Sequence, residues 1–527
     1  MRSNTRTTLE RSTPRHRSTD GSGATRTRGG LFRIRFSRRR RRVREPRNTS
    51  AFIRAWALIV AVVVAAVAVL LIQDVRQENS GLRVIGYQTA PVVEASTDLY
   101  LRLNDMDAQM ANILLVGSAK NLGFTRAEAL SIFQSDRHQA SIDLQKASAE
   151  ATVDPAAAQS IRGLLDALGS YEALAAQVTM VSGQGSQAPG KPSPAALALY
   201  TQATDLLRTQ LLPASQDLTN RNAAILQSTY TDDRGQAITA RNSVFLVGVV
   251  LLVAVIALQV YLARRFHRWI NPAMAAATLV AAALVIAGIR LTSGEAQQLY
   301  VAKVEAFNSI LPLDEARAVS YDANADESRY LVDPALAAQY QQSFLTKTLE
   351  LVDLPGAGIY TFDKRFAAAL TAYQQNSSNI EWTGYWGAEF RNFTFVGEPQ
   401  AAELSLKRFQ VYELDDRKIR KLNNTGQFVA AIAFDTSYNP GESNWAFGQY
   451  DNAQAAVINI NVNAFNLAIK DGLHALDGWT VIPGAAGLAV LVLLLLGLRG
   501  RLAEFHMPIS DSAPAGSPLP ATTEETG

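Results

Sequence analysis

The 527-residue sequence contains no cysteine and only five histidines. The absence of cysteine excludes disulfide bonds, thiolate nucleophiles and cysteine-ligated metal sites. The histidines lie far apart in the sequence, which argues against a zinc site. The sequence also lacks the G-x-S-x-G nucleophile elbow, the phosphate-binding lysine loop and the dinucleotide-binding glycine pattern. We therefore expect no catalytic residues, no metal site and no cofactor.

Charged residues are absent from four long apolar runs. These runs are Ala55–Ile72, Val244–Leu262, Met274–Ile289 and Val481–Leu498. An α-helix rises about 1.5 Å per residue, so roughly 20 residues cross the hydrocarbon core of a membrane. A charge at the centre of such a helix costs about 2.5–3.5 kcal/mol on insertion scales. We predict four transmembrane helices, of which the third is the shortest.

The four spans divide the chain into nine parts. These are a basic disordered arm (1–54), span one (55–72), a first large segment (73–243), span two (244–262), a connector (263–273), span three (274–289), a second large segment (290–480), span four (481–498) and a disordered tail (499–527). The order of span, large segment and span thus occurs twice. Asn104–Gly117 aligns without gaps on Tyr321–Pro334, which favours an internal duplication.

Positive charge is concentrated beside the spans. Residues 1–47 hold 16 arginines and three acidic residues, although the whole chain has a net charge of only +3. The residues that we expect to anchor the chain at the membrane interfaces are Arg38, Arg39, Arg40, Arg41, Arg42, Arg264, Arg265, Arg268, Trp56, Trp269 and Trp479. The positive-inside rule places both termini and the connector in the cytoplasm, and both large segments outside a cell membrane. A basic run beside a span usually binds anionic lipid, so we expect membrane lipids, and no nucleic acid, as its partner.

Apolar residues recur every three or four positions in both large segments. They are Leu99, Leu103, Met106, Met110 and Ile113 in the first segment, and Ala296, Tyr300, Val304, Phe307 and Leu311 in the second. This spacing is typical of helices that pack along one stripe. We expect Pro213 to kink its helix and Pro312 to kink or break the second stripe. We predict an all-α membrane protein with four transmembrane helices and two extracytoplasmic four-helix-bundle-like domains, the second with aromatic insertions.

Two groups of residues are candidates for ligand or partner binding. The polar group is Asp105, Asp107, Asp322, Asn324, Asp326 and Glu327, and the aromatic group is Trp382, Trp386 and Trp445. The polar residues form either a binding patch or a solvated helix face, and the tryptophans form either a binding surface or part of a hydrophobic core. Residues 322–333 begin like a calcium loop, but Glu327 occupies the position where its sharp turn needs glycine.

The predicted cytoplasmic parts are too small to hold an enzyme core. They comprise the arm, a connector of about ten residues and a tail of about 29 residues, lengths far below that of a folded enzyme domain. A signal detected outside must then reach the cytoplasm as a change in helix position that another protein detects. The connector ties spans two and three together, so we expect both large segments to act on one unit.

The chain resembles the actinobacterial GlnX-type membrane proteins. The resemblance lies in the two-segment, four-span plan and in the stretches LYLRLNDMDAQMANILL, YDANADESRYLVD and FDTSYNPGESNWAFGQYD. It implies a non-enzymatic relay of amino-acid availability. In that family a periplasmic solute-binding lipoprotein of the GlnH type senses aspartate or glutamate, and a soluble Ser/Thr kinase receives the signal.

Two other classes of function remain open from the sequence. One is an accessory or permease component of a transport system, and the other is a structural protein of the cell envelope. Transporters usually have polar or broken helices at the membrane midplane, whereas the polar Gln259 lies near one end of span two. The sequence leaves the oligomeric state open, and a homodimer is one candidate arrangement.

Overall fold

The computed structural model describes residues 49–148, 155–266 and 271–503, and these residues form helices and no β-strand. The α-helices are α1 (Thr49–Val84), α2 (Ala90–Val116), α3 (Arg126–Ala147), α4 (Pro155–Ser182), α5 (Pro194–Leu206), α6 (Leu212–Phe266), α7 (Pro272–Tyr300), α8 (Asn308–Val332), α9 (Ala337–Leu351), α10 (Phe362–Gln375), α11 (Gly384–Glu389), α12 (Glu398–Asn424), α13 (Phe428–Thr436), α14 (Ser443–Ala475) and α15 (Ile482–Ala503). Three π-helical segments, π1 (Ile85–Thr89), π2 (Leu207–Leu211) and π3 (Val301–Phe307), join neighbouring α-helices. The predicted all-α class is confirmed.

Four helices in this part of the chain are long and apolar enough to cross a membrane, and they contain the four predicted spans. They are α1, α6, α7 and α15. Their inner faces pack into one apolar cluster, while large side chains such as Leu58, Leu246, Leu279 and Leu495 are 65–72% exposed. A continuous apolar surface of this kind is expected where lipid covers the protein. The protein is therefore a multi-pass membrane protein.

Close helix packing holds spans two, three and four together near the connector. The side chain of Gln259 donates hydrogen bonds to the carbonyl oxygen of Met274, at 2.6 Å, and to the hydroxyl of Thr278. Asn271 caps the start of α7, and its amide nitrogen donates to the carbonyl oxygen of Gly497, 2.8 Å away. Polar side chains inside a membrane need such partners, because lipid offers none. These bonds fix both ends of the connector against the spans.

Each π-helical segment lies in a helix that runs unbroken out of a span. Two of them are followed closely by a proline, Pro91 after π1 and Pro213 after π2. Proline cannot donate a backbone hydrogen bond and its ring crowds the carbonyl one turn earlier, so a wider turn accommodates it. Pro312 lies inside α8 just after π3. The chain stays helical through Pro312, so the helix break that the sequence allowed does not occur.

The π-helical segments also support the internal duplication. The alignment of Asn104–Gly117 on Tyr321–Pro334, extended backwards without a gap, places Ile85–Thr89 opposite residues 302–306. Those residues lie within π3. α2 and α8 end within one residue of their aligned positions. Equivalent helices in the two halves of the chain therefore carry the same local irregularity at the same distance from their ends.

The two large segments share a hydrophobic core. One apolar cluster contains Met106 and Tyr171 from the first segment together with Leu331 and Ile432 from the second. α2 packs directly along α8 in this cluster. A second cluster, formed by residues of α8 to α14, belongs to the second segment alone. The predicted domain boundaries stay predictions, but the two segments are packed against each other over their most buried helices.

The predicted stripe of the first segment is confirmed. Leu99, Leu103, Met106, Met110 and Ile113 are each at most 1% exposed. Burial of one large apolar side chain contributes about 1.5–3 kcal/mol, so this stripe is a major source of stability for the shared core. It also fixes which face of α2 turns towards α8 and the other helices.

Candidate functional site

A buried arginine joins the two large segments. The guanidinium of Arg329, on α8, is fully buried, and its Nε donates to Oδ2 of Asp107 on α2, 2.8 Å away. Its Nη1 donates to Asp322 at 2.9 Å and to Asp326 at 2.8 Å. We call Asp107, Asp322, Asp326, Arg329 and Lys347 the Arg329 network. A fixed, planar set of donors suits several carboxylates at once, which explains an arginine here.

Asp107 connects further helices to this network. Its carboxylate accepts hydrogen bonds from the hydroxyl of Thr204 on α5, at 2.9 Å, and from that of Tyr200, at 3.3 Å. The hydroxyl of Tyr171, on α4, donates to the same carboxylate at 3.4 Å. Both tyrosines are buried, and burial raises the pKa of each hydroxyl, so both remain protonated donors. Asp107 thus holds α4, α5 and α8 against α2.

Lys347, on α9, completes the network. Its ammonium group lies 2.8 Å from the carboxylate of Asp322 and 2.5 Å from that of Asp326. Burial alone would raise the pKa of Asp322, but the charges of Lys347 and Arg329 hold that pKa at about 2. The network therefore contains three carboxylates and two cations in a nearly water-free site. Buried charges are tolerated when they are paired in this way.

A second polar layer lies beside the Arg329 network. The hydroxyl of Ser328 donates to Asn112 on α2 at 3.0 Å and alternatively to Asp435 on α13 at 3.1 Å. Burial is the main cause that raises the pKa of Asp435, to about 7. The amide of Asn324 donates to Glu327 at 3.3 Å, and burial raises the pKa of the Glu327 carboxyl well above its usual value. These contacts again join α2 and α8, with α13 alongside.

Asp105 lies on a different face of α2 from Asp107. Its carboxylate accepts a hydrogen bond from Gln109 at 2.8 Å. Asp136, on α3, is paired with Arg102 at 3.3 Å, yet burial and the nearby charge of Asp105 raise its pKa to about 8. Asp105 is therefore outside the Arg329 network and belongs to a carboxyl pair between α2 and α3.

The structure buries four of the six sequence-predicted polar residues, Asp107, Asp322, Asp326 and Glu327, and leaves Asp105 and Asn324 half-buried. Asp107, Asp322 and Asp326 are 0%, 8% and 0% exposed. The solvated helix face, one of the two interpretations of these residues, is therefore wrong for all three. Residues 322–332 are helical, so they do not form a calcium-type loop.

The three tryptophans do not form one binding surface. Trp382 and Trp386 are fully buried in the apolar cluster of the second segment. The indole nitrogen of Trp386 donates to the hydroxyl of Tyr450, 3.2 Å away. Trp445 is partly exposed and lies on α14. The structure thus separates the two core tryptophans from the one that remains accessible on the surface.

The expected membrane-interface residues are only partly within the described residues. Trp56 lies near the start of α1, and its indole nitrogen donates to the carbonyl oxygen of Ala254 in span two, 3.1 Å away. Trp479 is partly exposed between α14 and α15. Arg264 and Arg265 lie at the end of α6. Arg38, Arg39, Arg40, Arg41, Arg42, Arg268 and Trp269 lie outside the described residues.

Sequence reasoning missed the two cations of the network. Arg329 stands inside the stretch that supplied Asp322 and Asp326, and the spacing of these three residues places them on one helix face. A cation that follows two acids on the same helix face was therefore a usable signal. Lys347 gave no such signal, because its partners come from a different helix. Tyr171 and Tyr200 likewise reach Asp107 only through the tertiary packing.

The network is suited to fixing helices and not to making or breaking bonds. Its carboxylates are already bound to a guanidinium, an ammonium and hydroxyl groups. Among the described residues, no three His, Asp or Glu side chains are placed to hold a metal ion. A change in any one helix would alter bonds made by all the others, since one side chain serves several partners.

A family model described as an actinobacterial sensor domain matches residues 81–231, less than a third of the chain. This region starts at the end of α1, ends within α6, and includes Asp107, Tyr171 and Tyr200. No curated protein and no solved structure matches the chain. The first segment is therefore similar to an actinobacterial sensor domain, and together with four membrane-spanning helices this similarity supports a non-catalytic membrane sensor or signal transducer.

Proposed function

We propose that this protein relays the extracytoplasmic availability of aspartate or glutamate to a cytoplasmic Ser/Thr kinase. A solute-binding lipoprotein binds the amino acid and docks on the outer part of the protein. The similarity of residues 81–231 to a sensor domain and the four membrane-spanning helices support the transducer role. The resemblance to GlnX-type proteins supports the amino acid and the two partners.

The observation that carries this proposal is the bond between Asp107 and Arg329. Asp107 lies on the helix that leaves span one, and Arg329 lies on the helix that leaves span three. Both paths from span to network are helical without a break, through π1 and π3. A displacement of α2 in the sensor-like region is therefore coupled to two spans.

Packed helices move between discrete arrangements, and a continuous helix transmits such a shift over its whole length. Near the connector, Gln259 and Asn271 bind span two to span three and span three to span four. The kinase would detect the resulting change in the spacing of helix ends at the cytoplasmic face. No chemistry at the network is required for this relay.

The test is a flexible break in the helix that leaves span three. Gly294 lies in α7 beyond residue 289, the predicted end of that span, and no side chain packs within 4 Å of it. We expect four glycines inserted after Gly294 to abolish the change in kinase phosphorylation caused by external aspartate or glutamate. Binding of the lipoprotein should be retained, because the network lies far along the helix.

The matched control is the same insertion after Gly185, which lies in the loop between α4 and α5 and also has open space around it. We expect this variant to signal normally. A response that survives the break at Gly294 would show that the signal does not pass along α7, and a response lost in both variants would show that the insertions damage folding.

The orientation is tested by cysteine labelling, for which the cysteine-free sequence is an ideal background. Gly183 and Asn439 are exposed in the two large segments. We expect Gly183→Cys and Asn439→Cys to react with an impermeant thiol reagent in intact cells. Ser512→Cys, in the tail, should react only after the cells are opened. The reverse pattern would invert the proposed topology.

A further inference from the structure

A small acidic cavity lies between three helices just beyond the predicted ends of the spans. Asp74 and Glu78 on α1, Asp233 on α6 and Glu295 on α7 line a cavity of about 20 Å³. A cavity needs roughly 10–15 Å³ to hold one water-sized group. The cavity therefore has room for one such group, and four acidic residues are among those that line it. We call these four residues the acidic cavity.

The carboxylates of the acidic cavity lack partners. Asp74 is 6% exposed and Glu295 is 3% exposed. In the described part of the chain, both oxygens of Glu295 and of Glu78, and one oxygen each of Asp74 and Asp233, are buried without a hydrogen bond. Buried carboxylates without donors are rare, because losing water costs several kcal/mol per ion. These oxygens therefore point to a cationic group that would lie among them.

The neighbouring cation does not neutralise the acidic cavity. Arg234, next to Asp233 in the sequence, instead donates to the hydroxyl of Tyr230 at 3.1 Å and lies over the rings of Tyr230 and Tyr300. Burial, and then the charges of Asp74 and Asp233, raise the pKa of Glu78 to about 9. Glu78 lies beyond residue 72, the predicted end of span one. Protonation of Glu78 or binding of a cation would relieve this excess negative charge.

Gly81 makes room for the acidic cavity. A Cβ atom added at Gly81 would lie 2.4 Å from Oδ2 of Asp233. The absence of a side chain on α1 thus lets this carboxylate sit directly against the helix. An adjoining groove of about 430 Å³ shares Asp74, Gln77 and Gln236 with the cavity and is lined further by polar residues of α6. A ligand whose small end group fills the cavity and whose polar remainder lies in the groove fits these two adjoining sites.

We propose that the acidic cavity binds a primary ammonium group, with any attached chain lying in the adjoining groove. An ammonium group is the size of one water molecule and donates up to three hydrogen bonds, so it fits the cavity and can bind carboxylate oxygens that are buried beside it. Among the described residues no three acidic side chains are placed to hold one metal ion, so we expect the ammonium group to bind one or two of these carboxylates at a time. The ligand is either free ammonium or a small primary amine. This site is independent of the proposed relay partners.

The test uses the purified full-length protein in lipid nanodiscs at fixed pH and fixed ionic strength, with thermal unfolding as the readout. We expect ammonium chloride or putrescine to raise the unfolding temperature to a plateau. A plateau with ammonium chloride alone identifies the free ion, and tighter binding of putrescine identifies an organic amine. Tetramethylammonium chloride, which is too large and has no N–H donor, should have no saturable effect.

Variants connect the response to the acidic cavity. We expect Glu295→Gln and Glu78→Gln to raise the half-saturating concentration at least about tenfold, and Gly81→Ala to raise it by displacing Asp233. Glu381→Gln, at an exposed position elsewhere, is the matched control and should leave it unchanged. Three results would each overturn the proposal: equal effects of all salts, a saturable response to magnesium alone, or an unchanged half-saturating concentration in Glu295→Gln.

Discussion

The same two helical paths carry two groups of buried charges with opposite character. In the Arg329 network, three carboxylates face a guanidinium and an ammonium at 2.5–2.9 Å. In the acidic cavity, nearer the spans, four carboxylates face one another with no ion pair among the described residues. Both groups join helices from different spans. Every charge of the first group is paired with an opposite charge, although Nη2 of Arg329 has no hydrogen-bond partner among the described residues. The carboxylates of the second group have no such ion pair.

The Arg329 network is therefore a fixed structural contact, whereas the acidic cavity is a site that could respond to a proton or a cation. A buried network whose charges are all paired has one favourable arrangement, because every displacement leaves a charge without its partner. An unpaired acidic cluster gains stability when a proton or cation enters, so its helices can be drawn together by a ligand. The Arg329 network lies far along the helices from the spans, whereas the acidic cavity lies close to their predicted ends.

The largest expected effect comes from removing the guanidinium of Arg329 from the Arg329 network. Arg329→Met removes the guanidinium and leaves Asp107 with only hydroxyl donors. We expect the free energy of unfolding to fall by about 3–5 kcal/mol, the usual cost of removing one partner of a buried ion pair. Chemical unfolding of the protein in nanodiscs measures it. Arg137→Met, at an exposed position on α3, is the control and should change stability by less than about 1 kcal/mol.

A smaller loss is expected when one carboxylate of the network is neutralised. Asp107→Asn keeps the shape and one acceptor oxygen, and it leaves two carboxylates against two cations. We expect a loss of about 1–3 kcal/mol, typical of a hydrogen bond to a charged group. Asp217→Asn, whose exposed partner is Arg221, should cost no more than about 1 kcal/mol. Equal losses in the two variants would show that Asp107 is not a structural partner of Arg329.

Neutralising one carboxylate of the acidic cavity should have the opposite effect on the free energy of unfolding. Glu295→Gln removes one buried negative charge from a cluster that has no internal cation. We expect the ligand-free protein to become more stable, by up to about 1 kcal/mol, because repulsion falls while the amide still lacks some partners. Thermal unfolding without ammonium measures this change. If the Glu295→Gln protein is less stable than the wild type, the Glu295 carboxylate makes stabilising contacts, as the residues of the Arg329 network do.

A change in pH dependence is expected at α3. The pKa of Asp136 is about 8 in the folded protein and near 3.8 as an ordinary carboxyl. The folded state therefore holds an extra proton between these values, so this contribution to stability is complete below about pH 4 and is lost as pH rises to about 8. We expect Asp136→Asn to show a shallower decline of unfolding temperature between pH 5.5 and 8.5. Asp166→Asn, exposed on α4, should keep the wild-type slope.

Much of the architecture was predictable because it depends on local patterns. The four spans, the helical class and the buried stripe through Met106 follow from uninterrupted apolar runs and from apolar spacing, and the structure confirms all three. The candidate polar residues were partly predictable. Asp107, Asp322 and Asp326 stood out as acids on helices with apolar neighbours, but the pattern left open whether water or a cation would face them.

What the sequence determined by itself is the membrane plan, since the length and apolarity of a segment decide whether it can cross a bilayer. What only the tertiary structure decided is which charges are paired. Asp107 pairs with Arg329, and Asp74 and Glu295 line the same cavity, only because helices distant in the sequence pack side by side. The stability of a buried charge depends on the atoms within a few ångströms of it, and sequence separation carries no information about those neighbours.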